Sequence, residues 1–245
     1  MRNILLMIMP TIISLHNAIG QINCISNLKF SVDSFDIIII NVTPENIKRF
    51  DIIENDKKLT HQSFVKEFNK DSSLFLMNAS ICDSSCRPLG YMKVDGQEMY
   101  PVNLGDGKGN FYLKPNGALL LTKDDALIVE SSFISTFDNV VLGVQSGPLL
   151  LNNGIVNPSF TGNSQNRKIR CGVGLFANNK GEKKLVFIKS INPVSFYAFT
   201  MVFQKRFSCD AALCLESSGC VMNLPYLKDS NFDIRNSVIC RYIKY

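Results

Sequence analysis

Ser195-Phe196-Tyr197-Ala198-Phe199-Thr200-Met201-Val202-Phe203-Gln204-Lys205-Arg206-Phe207 carries phenylalanines at the three- and four-residue steps of one helical face, behind a serine suited to cap it. Those rings read as core. The apolar run Lys184–Lys189 precedes the helix and Ala211–Glu216 follows it, giving a strand–helix–strand unit from Leu185 to Glu216. Upstream, Arg170–Phe176 pairs with Lys184–Lys189 as a hairpin around Asn178–Gly181. Further back the pattern stays strand-like. Val140–Gln145 and Leu149–Leu151 bracket Ser146-Gly147-Pro148, and Asn152-Asn153-Gly154 turns the chain again. Asp95-Gly96 marks a hairpin between Tyr91–Val94 and Glu98–Val102, and Asn116-Gly117 marks another before Ala118–Leu121. Phe35–Val42 is β-branched and too short for a buried helix, so it predicts a central strand. Arg49–Ile53 and Ser73–Asn78 predict two more. Many hairpins with a few helices define an α+β class: one domain with a large mixed, mainly antiparallel sheet core and flanking helices.

The composition is that of a folded protein, with 46% apolar and 19% charged residues among 245, which excludes a disordered or coiled-coil chain. The net charge of +5 is spread along the sequence, without the basic, aromatic-interleaved stripe of a nucleic-acid binder. No nucleic-acid partner is expected. Arg2 is the only charge before the apolar run Ile4–Leu15, and Ala18-Ile19-Gly20 follows as a small-x-small site. Residues 1–20 therefore read as a secretory signal peptide cleaved after Gly20, leaving Gln21–Tyr245. A retained anchor, or a lipoprotein through Cys24, is the rival reading. No later run approaches the length of a membrane span, so the mature protein is expected to be periplasmic or extracellular, without stable membrane insertion. In an oxidising compartment the eight cysteines suggest disulfides, with buried thiols or a metal as alternatives, and spacing leaves their pairing open. No CxxC pair is present and histidine is scarce, so neither a metal nor another cofactor is expected.

Loss of the leader leaves His61 as the sole histidine, in a helical pattern over Thr60–Phe68 whose core face is Phe64 and Phe68. It reads as an exposed first-turn residue, so histidine-based nucleophilic catalysis has no natural participant. The remaining chemistry falls on polar groups where predicted strands end. Asn78 closes one strand; Asn78-Ala79-Ser80 and Asn41-Val42-Thr43 both match the glycosylation acceptor pattern. Gly105–Gly109 with Lys114 and Asn116 forms a glycine-rich loop lacking a Walker pattern. Gln145-Ser146-Gly147-Pro148 and Arg167, Lys168 and Arg170 offer donors to a phosphate, Arg170 as a planar fork. Glu216-Ser217-Ser218-Gly219 ends a buried strand with a carboxylate suited to acid–base work. Singly, each forms a turn or a surface ion pair as readily as a site.

Several of these blocks occur together in one known arrangement. Phe75-Leu76-Met77-Asn78-Ala79, Arg87-Pro88-Leu89-Gly90, Gly107–Gly117, Gln145-Ser146-Gly147-Pro148-Leu149, Arg170-Cys171-Gly172-Val173-Gly174 and Ala212–Leu215 follow one another in order. With them the chain, from about Leu74 to Pro225, resembles the phosphodiester glycosidase domain family of bacterial exported proteins. The lysosomal enzyme that uncovers mannose 6-phosphate shares that domain. The resemblance implies a hydrolase that cleaves the glycosidic bond of a sugar-1-phosphodiester, of N-acetylglucosamine type. It implies Glu216 and Asn78 as catalytic residues. Arg170, Lys114, Asn116, Gln145, Ser146, Gly147 and Ser218 are implied as substrate and phosphate ligands. The chain departs from the family pattern at Ser80, at Glu216-Ser217, and at Val221 and Asn223, which stand where bacterial relatives often have basic and aromatic residues. Ser80 stands where the family has glycine, adding a side chain where the backbone can require positive φ or close approach. Glu216-Ser217 stands where it has Asp-Gly, moving the carboxylate by about one C–C bond, ~1.5 Å. The alternative implied by those departures is a scaffold that binds a phosphosugar or envelope polysaccharide without hydrolysis.

Overall fold

The computed structural model describes residues 11–15, 22–55, 63, 73–85, 87–217, 219–223 and 238–243. The expected helix over Thr60–Phe68, His61 with it, and Ser218 lie outside the described residues. In chain order the strands are β1 (Thr11–Leu15), β2 (Ile22–Phe30), β3 (Asp33–Asn41), β4 (Phe50–Glu54), β5 (Ser73–Ser80) and β6 (Met92–Val94). Then come β7 (Gln97–Tyr100), β8 (Gly117–Leu121), β9 (Ala126–Glu130), β10 (Leu142–Ser146), β11 (Leu149–Asn152) and β12 (Ile155–Val156). The last are β13 (Cys171–Ala177), β14 (Lys183–Ser190), β15 (Ala211–Glu216), β16 (Met222–Asn223) and β17 (Val238–Ile243).

They form an eight-stranded sheet ordered β1-β2-β3-β14-β13-β15-β11-β12, a five-stranded sheet β7-β6-β10-β8-β9 and a four-stranded sheet β16-β5-β17-β4. The class is the α+β expected. The mainly antiparallel sheet core expected is present, divided among three sheets whose described pairings are all antiparallel. The antiparallel pairing around the helix has a local cause. Both β14 and β15 pair with β13, so the strand–helix–strand unit brings its two strands into parallel alignment with β13 inserted between them. Thr11–Leu15, within the stretch read as a leader, pairs with Ile22–Ser26 at the sheet's edge.

Alternation along the central strands separates two cores. Phe35, Ile37, Val186, Ile188, Ala212 and Cys214 pack on the helical side with Phe199, Val202 and Phe203. Ile38, Ile40, Leu185, Phe187, Leu213 and Leu215 face the two smaller sheets. There Phe187 meets Phe50 and Phe75 at 5.9 and 5.1 Å between ring centroids. The helix starts as predicted: Ser195 Oγ accepts from the Ala198 amide at 3.1 Å. It is α-helical over Phe196–Met201 and continues as a π-turn over Val202–Arg206. It can lie this close because β13 presents glycine at 172 and 174 beneath Phe199 and Phe203. A Cβ on Gly172 would come 3.0 Å from the Phe199 ring, and one on Gly174 would come 2.6 Å from Phe203.

Asp95 and Gly96 form the expected hairpin turn, both with positive φ. Ser146-Gly147-Pro148, bracketed by two strands as expected, joins different sheets, its cis Gly147–Pro148 bond carrying the chain from β10 to β11. One expectation changes: Asn116-Gly117 makes no hairpin but leads from a 3-10 turn over Asn110–Tyr112 and a cis Lys114–Pro115 bond into β8.

Candidate functional site

The strand ends named from the sequence meet beside the end of β15. The first link is from β5: Asn78 is buried, its Oδ1 accepts from the Val221 amide at 2.5 Å, and its own amide donates to the Val221 carbonyl at 3.4 Å. It grips the loop that follows Glu216. That burial also removes Asn78 from any glycosylation of the folded chain. The second link is from the β10–β11 junction, where Ser146 Oγ donates to the Leu215 carbonyl at 3.2 Å. Ser80 Oγ donates to the Gln145 carbonyl at 2.6 Å. Its φ is not positive, so the serine that replaces the family's glycine is accommodated without strain and adds a tie. The third link is the 3-10 turn: Asn110 Nδ2 donates to Ser217 Oγ.

Several predicted ligands are spent on holding this junction. Gln145 Oε1 accepts from the Tyr91 and Asn103 amides, while Nε2 donates to the Asn103 carbonyl and Ser131 Oγ. Both ends of the amide are thereby engaged, and the side chain is fully buried. Asn116 Nδ2 donates to the Phe111 carbonyl at 3.1 Å. Gly147 supplies close approach: a Cβ there would stand 2.7 Å from the same Phe111 carbonyl. Lys114 is exposed and donates to the Leu104 carbonyl at 3.2 Å. These residues position the site, and apart from Lys114 none presents an unspent polar side-chain group to solvent.

Arg170 departs most from its expected role as a phosphate fork. It is 0% exposed, and its guanidinium Cζ lies 3.5 Å from the centroid of the Phe196 ring. Nε donates to the Val194 carbonyl and Nη2 to the Asn166 carbonyl, both at 2.9 Å. Nη1 has no partner, and no carboxylate pairs with this cation among the described residues. Burial pulls its pKa down from the usual arginine value, offset only by the Cys214 sulfur. Burial in turn pushes the Cys214 thiol up to about 12, so that sulfur carries no charge near neutrality. Arginine keeps its proton regardless, leaving a buried positive charge with no neutralising anion. Alternation puts Arg170 on the helical face of β13; Cys171, one residue on, pairs directly with Glu216. Arg170 and Glu216 therefore flank the end of the β13–β15 ladder without forming an ion pair.

Glu216 is half-buried, and its Oε1 accepts from the Ser217 amide at 2.6 Å. The ladder slips just before it: Gly172 faces Cys214 while Cys171 faces Glu216, so Leu215 is an extra residue, a β-bulge. Bulges re-aim side chains beside sites. Among the described residues one cysteine pair is bonded, Cys171 to Cys220, with Cα atoms 5.6 Å apart. Cys209, Cys214 and Cys240 are buried thiols, all with pKa raised by burial.

Phe196 and Asn166, both in contact with Arg170, also line a pocket of about 160 Å3 that the strand-end reading missed. Its aromatic wall is Phe160, Phe196 and Tyr197, with Phe160 stacked on Phe196 at 5.0 Å and 10°. Asn110, Thr161 and Ser164 supply uncharged hydrogen-bonding groups. The signal in the sequence was Phe196 itself, read there only as core. A larger cleft of about 450 Å3, between Asn41, Asp124, Asp125 and Glu182, contains none of the predicted residues.

Fold and site together define an α+β domain whose strand ends gather a carboxylate, a buried cation and a small aromatic pocket. Residues 64–223 match the phosphodiester glycosidase family, and the chain belongs to it. The uncharacterized protein YigE of Escherichia coli K12 is 34% identical over 142 residues, 58% of this chain and 54% of its own length. The chain thus spans about half the length of that curated relative. Among solved structures, the catalytic domain of zebrafish N-acetylglucosamine-1-phosphodiester alpha-N-acetylglucosaminidase, auto-inhibited by its pro-peptide, superposes with a TM-score of 0.60 at 15% identity. That match covers 97% of this chain and 88% of the other. A hypothetical protein from Synechocystis gives 0.59 at 11% identity, covering 97% and 64%. At those identities the likeness is one of fold.

Proposed function

We propose that the protein hydrolyses the glycosidic bond of a sugar-1-phosphodiester of N-acetylglucosamine type, outside the cytosol after loss of residues 1–20. What supports this reading is the buried charge of Arg170, without a carboxylate partner among the described residues, stacked on the Phe196 ring that lines a pocket of one-sugar size, with Asn110 linking that pocket to the loop after Glu216. A phosphodiester is a stable anion and a good leaving group, so it needs little protonation. It needs a positive field, which Arg170 supplies through the low-dielectric floor of the pocket rather than by direct contact. The sugar ring rests its apolar face on Phe160 and Tyr197 and its hydroxyls on Asn110, Thr161 and Ser164. Glu216 activates water at the anomeric carbon or stabilises positive charge there. The zebrafish relative of like fold is named for acting on an N-acetylglucosamine-1-phosphodiester, which supports this substrate class.

A second reading has its own observation: Glu216 Oε1 is engaged by the Ser217 amide, as suits a scaffold that binds phosphosugar without cleaving it. Purified protein given an N-acetylglucosamine-1-phosphate diester separates the two. Release of free sugar, lost in Glu216→Gln, is expected. A ligand-induced rise in Tm without turnover would favour the binding module, and neither signal would remove both.

A further inference from the structure

Two anchors fix the Glu216–Cys220 loop to one residue of β13. Glu216 is the ladder partner of Cys171, and Cys220 is disulfide-bonded to that same Cys171. The five-residue segment is thereby closed on itself. Within it the Ser217 amide reaches the Glu216 carboxylate, and Asn110 holds Ser217 Oγ. Just beyond it Asn78 clamps Val221. The carboxylate's position therefore depends on the loop's closure, since the bulge at Leu215 loosens the ladder directly before Glu216. Cys220 is 8% exposed against 0% for Cys171, so it is the sulfur that an attacking thiolate reaches first.

We propose that the Cys171–Cys220 disulfide is a positioning device for Glu216, making turnover depend on the oxidation state of this pair; the inference rests on the function proposed above. A dithiol reductant opens it in two steps. One thiolate attacks Cys220 Sγ, forming a mixed disulfide and releasing Cys171 as thiolate. The reductant's second thiol then displaces Cys220. Two electrons and two protons pass from the dithiol, which leaves as a disulfide, to two cysteine thiols. The loop then keeps the ladder, the Asn110–Ser217 bond and the Asn78 clamp, but loses its only covalent closure. Phe160 and Tyr197 are untouched, so substrate affinity is preserved while the carboxylate drifts.

The test treats the full chain with dithiothreitol, checked by thiol counting and far-UV circular dichroism, and pairs it with the double variant Cys171→Ser/Cys220→Ser. Hydrogen exchange of residues 216–221 and kinetics on an N-acetylglucosamine-1-phosphate diester are measured together. Faster exchange at Ser217 and Val221, a kcat lower by at least ~10-fold, KM within about twofold, and recovery on reoxidation are expected, the loss following from misplacement by about 1 Å. Unchanged kcat in reduced, folded protein overturns the inference, as does unchanged exchange. Absence of turnover in the oxidised protein overturns the function proposed above instead, and exchange of 216–221 alone then decides whether the disulfide holds the loop.

Discussion

In the proposed reaction Glu216 and Arg170 divide the work between a half-buried carboxylate and a fully buried cation, and each has its own test. Glu216→Gln keeps the size and the bond from the Ser217 amide but removes the charge. It is expected to lower kcat by ~10²-fold or more while thermal stability stays within about 0.5 kcal/mol. Arg170→Met removes the guanidinium from the Phe196 ring, leaves the Asn166 carbonyl without its donor and leaves the Val194 carbonyl with the Lys168 amide alone. It should cost about 2–4 kcal/mol in urea unfolding, and the loss of positive field should raise KM for the anionic substrate. The positions of Asn78, Asn116, Gln145 and Gly147 were legible, because polar groups and glycine at strand ends mark chain junctions. Their use was not. Whether an amide faces a ligand or its own backbone depends on what other strands bring near, as Tyr91, Asn103 and Ser131 are brought to Gln145.

At the scale of elements, the packing of the phenylalanine helix on β13 depends on Gly172 and Gly174. Gly174→Ala places a Cβ 2.6 Å from Phe203 and 2.7 Å from Cys209 Sγ. It should destabilise by about 1–3 kcal/mol, measurable by denaturant titration, as overpacked cores do. The helix, its serine cap and the Asp95-Gly96 turn were legible because each rests on short-range chemistry: ring spacing, an oxygen reaching an amide, positive φ. Ser146-Gly147-Pro148 was legible only as a break between two apolar runs. Its turn composition is local information, whereas the separation of β10 and β11 into different sheets is settled by which strands pair, β8 with one and β15 with the other. Pocket residues Phe160 and Thr161 sit in a connection without periodicity, so nothing in their spacing announced them.

For the whole molecule, burial of titratable groups makes stability depend on alkaline pH. Cys214 shifts from 9.0 to about 12, and Tyr91 and Tyr242 shift from 10.0 to about 12, all chiefly by desolvation. A raised folded-state pKa means that the unfolded chain loses its proton first. Their contribution is complete below about pH 9 and is lost as pH rises toward 12. Urea midpoints should therefore fall steadily from pH 9 upward and be nearly flat from 7 to 8.5; a flat profile to pH 11 would contradict the buried placement of these groups. The α+β class was legible from the change of apolar period, but the three-sheet division was not. Alternation tells which face is buried, not which sheet covers it.

The central claim is that the bond broken is the one between sugar C1 and the phosphodiester oxygen. Hydrolysis of an N-acetylglucosamine-1-phosphate diester in 18O-labelled water, followed by mass spectrometry of both products, tests it directly. The label is expected in the released sugar, with the phosphate product unlabelled. Label in the phosphate would mean attack at phosphorus, and would contradict a glycosidase at this strand end.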